Sequence, residues 1–256
     1  MKTDIVRIDR GRREALRDCV ADEVPLTIHI NDEELLTVSC SPHDLKELSV
    51  GFLFSSGFVR SLAEIEAVKV DMKNWASYVK LKNKDIDKRM MFKRLYTPGC
   101  GKGALFYNPL DLMHRKTFGN GPAFESRKIT GSMKIFQELA VTFRETGGVH
   151  SAALGDGERI VIFKEDIGRH NAVDKVIGAA LAKGCGMEGM MFFTSGRVSS
   201  EIVLKVRKTG SCFIVSRSAP TDQAVKLARD LNMTLVGFAR GQRMNVYSAK
   251  ERIPHG

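Results

Sequence analysis

Ile160-Val161-Ile162-Phe163-Lys164-Glu165-Asp166-Ile167-Gly168-Arg169-His170-Asn171-Ala172-Val173-Asp174-Lys175 passes from an apolar run into dense polar chemistry within a few residues. Ile160 to Phe163 predicts a strand. Val173, Val176, Ile177, Ala180 and Leu181 recur at helical spacing and predict a helix from about 171 to 183. Of the eleven residues Glu165 to Lys175, eight are charged, polar or glycine. α/β folds place binding sites at such strand-to-helix junctions. Strand ends hold side chains rigidly, and the helix start offers free N–H groups to anions. An ordinary loop capped by Asp166 or Asn171 accounts for the same residues.

The alternation continues on both sides of this stretch. Strands are predicted at 150–154, 159–163, 190–194, 212–216, 234–238 and 244–247. Phe136, Leu139, Ala140 and Phe143 mark one helix ending before Gly147-Gly148. Further helices are expected at 199–208, with Glu201 and Lys205 paired at i, i+4, and at 222–231, capped by Thr221. Residues 126–256 therefore read as a three-layer α/β/α domain with a largely parallel sheet.

Residues 1–125 read as a smaller α+β domain. Leu26 to Ile30 is its first clear strand, and Asn31-Asp32 turns it towards Leu35 to Val38. Ser41 as N-cap and Pro42 at N1 predict a helix carrying Leu45, Leu48, Phe52 and Leu53 on one face, ended by Gly57. Strand-like pieces follow at 67–70 and 77–81. The charged run before Cys19 has a helical pattern. Thr97-Pro98-Gly99-Cys100-Gly101-Lys102-Gly103, Asn108-Pro109 and Gly119-Asn120-Gly121-Pro122 mark loop and linker, which sets a domain boundary near 125.

The apolar fraction, 43%, is that of a soluble globular chain. No apolar run approaches the roughly 18 residues of a membrane span. The polar start Met1-Lys2-Thr3-Asp4 has no signal-peptide core, so a cytoplasmic protein is expected. Lys and Arg outnumber Asp and Glu by 40 to 30, a formal charge of +10 that favours a polyanionic partner. The five cysteines lack zinc spacing and imply no disulfide framework.

Cys100 differs from the other cysteines. Its flanking glycines leave the sulfur open, and Lys102, Lys93 and Arg94 favour the reactive thiolate. An incidental loop cysteine fits as well. Cys212 and Cys40 belong to strand-like runs, and Cys185 to a turn. Asp166, His170 and Asp174 stand at i, i+4 and i+8 and suggest a metal or acid/base group. Asp166 falls before the helix start, which makes metal the weaker reading. Ser195-Gly196-Arg197-Val198-Ser199-Ser200-Glu201 is a second strand-to-helix junction suited to phosphate. Phe238-Ala239-Arg240-Gly241-Gln242-Arg243 links two late strands, and its two arginines suit a phosphate or a purine edge. His150 is either a core histidine or a pocket wall.

Four runs together resemble the FdhD/NarQ family of formate dehydrogenase accessory proteins. They are Thr146-Gly147-Gly148-Val149-His150; Glu165-Asp166-x-Gly168-Arg169-His170-Asn171-Ala172-x-Asp174-Lys175; Ser195-x-Arg197-x-Ser199-x-Glu201; and Val236-Gly237-Phe238. The resemblance implies a sulfurtransferase that acts as a persulfide carrier. It would take sulfur from a cysteine desulfurase and pass it to the molybdenum or tungsten bis(guanine dinucleotide) cofactor before insertion into the formate dehydrogenase catalytic subunit. It also implies a cytidine-deaminase-like C-terminal domain and a homodimer. The family's mobile loop, Cys-Gly-x-Cys-Gly, matches Cys100 with its first cysteine, within a loop at about 97–104, and Gly103 with its second. The family's cofactor-binding run maps onto Phe238, Ala239, Arg240, Gly241, Gln242 and Arg243. The junction residues expected to line the same pocket are Gly148, His150, Asp166, Arg169, His170, Asn171, Ser195 and Arg197.

The zinc deaminase signature, H-x-E with P-C-x-x-C, is missing: Ser151 and Ala152 follow His150. No catalytic metal, deaminase activity, membrane association or nucleic-acid partner is expected. A non-catalytic guanine-nucleotide or RNA-binding protein would explain the charge and the junctions without Cys100. A nucleotide-modifying enzyme would use His170 and Asp174.

Overall fold

The computed structural model describes residues 1–83, 94–96, 104–106 and 117–254. Strands β1 (Lys2–Asp9) and β2 (Arg12–Cys19) pair antiparallel about an Arg10-Gly11 turn, where φ is 48° and 81°. The charged run before Cys19 is therefore a strand, not a helix. Its charges answer those across the ladder: Arg17 lies 3.3 Å from Asp4, Glu14 sits opposite Arg7, and Arg12 opposite Asp9.

Strands β3 (Val24–Ile30), β4 (Glu33–Cys40), β5 (Ile65–Asp71) and β6 (Ala76–Leu81) form a sheet in the order β4-β3-β6-β5. Asn31 and Asp32 take φ of 47° and 71°, the double positive φ that a tight hairpin demands. Helix α1 (Leu45–Ser56) lays Leu45, Leu48, Phe52 and Leu53 on Leu26, Ile28, Ile30 and Val79. Gly57, at φ 84°, ends it as expected. Ser41 does not cap α1, which begins after Asp44; it bonds to the distant junction at Asp166 instead. Strands β7 (Arg94–Tyr96) and β8 (Ala104–Phe106) pair antiparallel, Tyr96 with Ala104. Residues 97–103 join them, and Cys100, Lys102 and Gly103 lie outside the described residues.

The C-terminal unit contains α2 (Ser126–Leu139), α3 (Val141–Thr146), β9 (His150–Gly155), β10 (Ile160–Asp166), α4 (Arg169–Ala182), β11 (Met191–Thr194), α5 (Ser200–Lys208), β12 (Phe213–Ser216), α6 (Asp222–Asp230), β13 (Thr234–Arg240) and β14 (Arg243–Ser248). The helix expected to run on through Ala140 is broken there. Arg144 Nη1 donates to the carbonyls of Gln137 and Glu138 at the end of α2. The strands order β10-β9-β11-β12-β13-β14. Alternate side chains divide its faces: Ala152, Leu154, Phe192, Ile214 and Leu235 pack under α4, α5 and α6, while Ala153, Phe193, Val215 and Val236 pack under α2. The three-layer α/β/α architecture is as predicted, but the sheet is mixed. Only β11–β12 and β12–β13 are parallel. β9 and β10 form a hairpin, and a short β13–β14 return reverses the last strand, so the other pairings are antiparallel.

Segment 118–124 lies on this unit. Phe118 N–H donates to Leu231 O at 3.0 Å, and Arg252 Nη2 to Gly119 O at 2.7 Å. No helix among the described residues is long and apolar enough to cross a membrane.

The two units meet where α1 crosses α4 at two glycines. A Cβ on Gly51 would stand 1.8 Å from Asp174 O, and one on Gly178 would stand 1.9 Å from Glu47 O. The neighbours are backbone atoms, which cannot rotate away. Helix propensity alone would reward Gly→Ala by about 1 kcal/mol, but overpacking costs about 1–3 kcal/mol or more. Gly178→Ala is expected to lower unfolding stability by about 2 kcal/mol, measured by urea denaturation. A neutral or stabilised variant would show that the helices separate freely.

Candidate functional site

β9 runs opposite to β10 and β11, so its first residue lies beside the carboxyl ends of both. His150 pairs with Asp166, and Thr194 pairs with Ala152 and Ser216. All three polar junctions read from the sequence therefore open on one edge of the sheet, at the ends of its parallel strands. That edge carries Arg169, His170, His150, Ser195, Arg197, Arg217 and the Phe238–Arg243 turn.

Asp166, the last residue of β10, is fully buried. Lys175 Nζ lies 2.6 Å from its carboxylate. The carboxylate also accepts from Ser41 N (3.1 Å), Gly168 N (2.8 Å) and Asn171 Nδ2 (2.9 Å). Lys175 donates to Ser41 O, and Asn171 to Ser39 O. Asp166, expected to line the pocket, is buried beneath it, and Asn171, partly exposed, ties the same joint. Gly148 is exposed, and a Cβ there would meet the Ala21 side chain at 2.9 Å.

Asp174 faces away from the edge. Lys205 Nζ lies 2.6 Å from its carboxylate, and Ser55 Oγ donates to it at 2.7 Å. Lys205 therefore does not pair with Glu201, as i, i+4 spacing suggested. Glu201 Oε2 lies 2.9 Å from His170 Nε2, within ion-pair distance, and Ser199 Oγ lies 3.4 Å from the same nitrogen. Asp166, His170 and Asp174 consequently do not converge. Among the described residues no three His, Cys, Asp or Glu side chains gather as a metal site.

His150 and Arg169 meet across Gly196, where a Cβ would stand 2.9 Å from Arg169 Cβ and 3.5 Å from His150 Nδ1. Ser195 Oγ accepts from Ser151 N at 2.9 Å and lies 3.3 Å from His150 Nδ1. Ser195 therefore occupies the Nδ1 side of the ring, and Nε2 is the nitrogen left for a ligand. Burial first, then the Arg169 charge, holds the His150 pKa below its ordinary 6.5. Arg169 Nε is buried without a hydrogen-bond partner among the described residues, and Arg197 is exposed. Neither α4 nor α5 has a side-chain cap, whereas Thr221 caps α6.

At the far end of the edge, Phe238 takes φ 51°, an uncommon conformation for a bulky residue. Its N–H donates to Ser218 O at 3.1 Å. Arg240 Nε donates to Arg217 O at 3.1 Å, and Gly241-Gln242 turns the chain so that Arg240 and Arg243 pair. Ala239 is buried in the core, away from the edge.

The family model FdhD/NarQ matches residues 21–254. The chain belongs to the FdhD/NarQ family. It is 38% identical to the Sulfur carrier protein FdhD of Bacillus subtilis over 251 residues, covering 98% of this chain and 96% of that protein. It is 42% identical to the Sulfur carrier protein FdhD of Listeria monocytogenes, covering 97% of each. A crystal structure of a formate dehydrogenase accessory protein from Desulfotalea psychrophila superposes with a TM-score of 0.80 at 28% identity, covering 99% of both chains.

Sequence reasoning did not single out Arg217; Ser199 and Glu201 stood in the second junction and in the family-like run, but outside the residues expected to line the pocket. Arg217 follows β12 just as Ser195 to Arg197 follow β11, and that equivalence was the available signal. Among the described cysteines, burial pushes the Cys40 thiol up to about 12 and raises that of Cys212, so neither offers a thiolate.

The depressed His150 pKa has a definite sign. The unfolded chain binds this proton more readily, so the stability contribution is present above pH 6.5 and is lost as pH falls towards the folded value. A ring NMR titration should place His150 below 6.5, and His150→Gln should flatten the acid side of the stability profile. A midpoint above 6.5 would contradict this.

Proposed function

We propose that this chain is a sulfur carrier of formate dehydrogenase maturation. Cys100 takes sulfur from a cysteine desulfurase and passes it to a molybdenum or tungsten bis(guanine dinucleotide) acceptor seated on the basic sheet edge. The observation that carries the reading is that edge. Arg169, Arg197, Arg217, Arg240 and Arg243 stand at strand ends beside two helix starts without side-chain caps, and Arg169 Nε is buried with no partner among the described residues. Family membership and the sulfur-carrier names of the relatives support the sulfur chemistry.

The acceptor is substrate here, not a resident group. Its phosphates suit the guanidinium groups and free helix N–H groups. Phe238 offers a ring for a guanine to stack on, and His150 offers its Nε2 as a hydrogen-bonding partner. In the first transfer the Cys100 thiolate attacks the outer sulfur of the donor persulfide. A new S–S bond forms, the donor S–S bond breaks, and the donor cysteine leaves as thiolate. In the second, a reduced acceptor metal supplies the electron pair of a new bond to the outer sulfur, the Cys100 S–S bond breaks with its pair kept by Cys100 as thiolate, and the metal is oxidised by two electrons. One cysteine suffices for both steps, which accommodates Gly103 at the family's second cysteine position. The formate dehydrogenase catalytic subunit is the proposed client, and a cytoplasmic homodimer the proposed form.

A guanine-nucleotide-binding protein without sulfur chemistry would use the same edge, so the test must read both features. After incubation with a cysteine desulfurase and cysteine, mass spectrometry should find an adduct of one sulfur, about +32 Da, on Cys100. Cys100→Ala should carry none and should not support formate dehydrogenase activity. An unmodified Cys100 would leave only the binding function. Arg240→Ala combined with Arg243→Ala should weaken guanine-nucleotide binding about tenfold or more; unchanged affinity would move the ligand off this edge.

A further inference from the structure

We infer that Glu201 is a positioning residue of this edge, holding His170 so that its free ring nitrogen meets the ligand. The inference rests on reading the edge as a nucleotide site. His170 is the second residue of α4, and Glu201 lies in the first turn of α5. The 2.9 Å contact between them is made through Nε2, and Ser199 Oγ approaches the same nitrogen. A carboxylate only accepts, so its closeness favours the ring tautomer with the proton on Nε2. His170 Nδ1 has no hydrogen-bond partner among the described residues. Both side chains are about a fifth exposed, open enough to reach a ligand and enclosed enough to be held. The pair also ties the start of α4 to the start of α5, two helix ends without side-chain caps that flank Arg169 and Arg197.

The charge of Glu201 makes the claim decidable. A carboxylate beside a basic edge repels an anionic ligand, so electrostatics alone predicts tighter nucleotide binding when it is removed. A positioning role predicts the reverse for alanine. Glutamine keeps an oxygen acceptor for Nε2–H and relieves the repulsion.

The test is GDP binding by calorimetry on the full chain, with 15N NMR of the His170 ring. Glu201→Ala should weaken GDP binding about tenfold, the scale of one charge-assisted hydrogen bond. It should also shift the ring from the Nε2–H form to a mixture of tautomers. Glu201→Gln should bind at least as well as the parent and keep the Nε2–H form. Thermal unfolding of both variants checks that each is folded, and the glutamine variant preserves the shape of the site if alanine does not fold. Parent-like or tighter binding by Glu201→Ala, or an unchanged ring, would overturn the positioning role. Failure of the parent to bind GDP would instead overturn the nucleotide reading of the edge, while the ring spectra would still report whether Glu201 holds His170.

Discussion

A carboxylate without access to water fixes how the two halves of this chain meet. Removing Asp166 and Lys175 from solvent carries a desolvation penalty of several kcal/mol per ion. Their 2.6 Å contact offsets it only with the further donors from Ser41, Gly168 and Asn171. Those donors come from the end of β4 and the start of α4, so the charges are satisfied only in this docking. Lys205, Asp174 and Ser55 repeat the device at the other end of α1, with Lys205 Nζ 5.5 Å above the Phe52 ring. Losing one partner of either pair would strand a buried charge. The two pairs thus choose among ways of packing the units, more than they add to net stability.

The Gly51–Gly178 crossing supplies the steric half of the same constraint. It brings the two helix backbones into contact, so sliding α1 along α4 would break the polar joint as well as the packing. The bases of α4, β4 and β9 become one rigid support, on which Arg169, His150 and Ser195 are set. Arg217 and Arg240 are held by a bond to each other's strand end, not by the support.

Period alone made the C-terminal half legible, because its strands alternate between two buried faces and its helices lie on one side or the other. Strand direction has no period, so the antiparallel β9–β10 and β13–β14 pairings stayed hidden. β1 and β2 escaped because their polar side chains pair across a two-stranded ladder with little apolar face. Ser41 has the composition of a cap, but its partner is 125 residues away. Glu201 and Lys205 have the spacing of a helix pair, yet stronger partners on other elements claim each: His170 for one, Asp174 for the other. Local sequence cannot rank such competition. The three junctions were legible one by one. That they share an edge is a property of topology, and that Asp166 lies beneath it is a property of burial.

The joint between the halves also bears on the order in which the molecule forms. The β3–β4 hairpin, the β9–β10 hairpin and the β11–β12 crossover close over short stretches of chain. The bonds from Ser39 and Ser41 to Asn171, Asp166 and Lys175 close loops of 125 to 134 residues. Contacts so distant in sequence wait on chain entropy that local pairs do not face. Each unit can therefore collapse on its own, while the platform under the basic edge is completed only when they dock. A folding intermediate with both sheets intact and the joint unmade would have a nearly native circular dichroism spectrum and a disorganised ligand edge. On that order, secondary structure would precede the joint that sets Arg169, His150 and Ser195 in place.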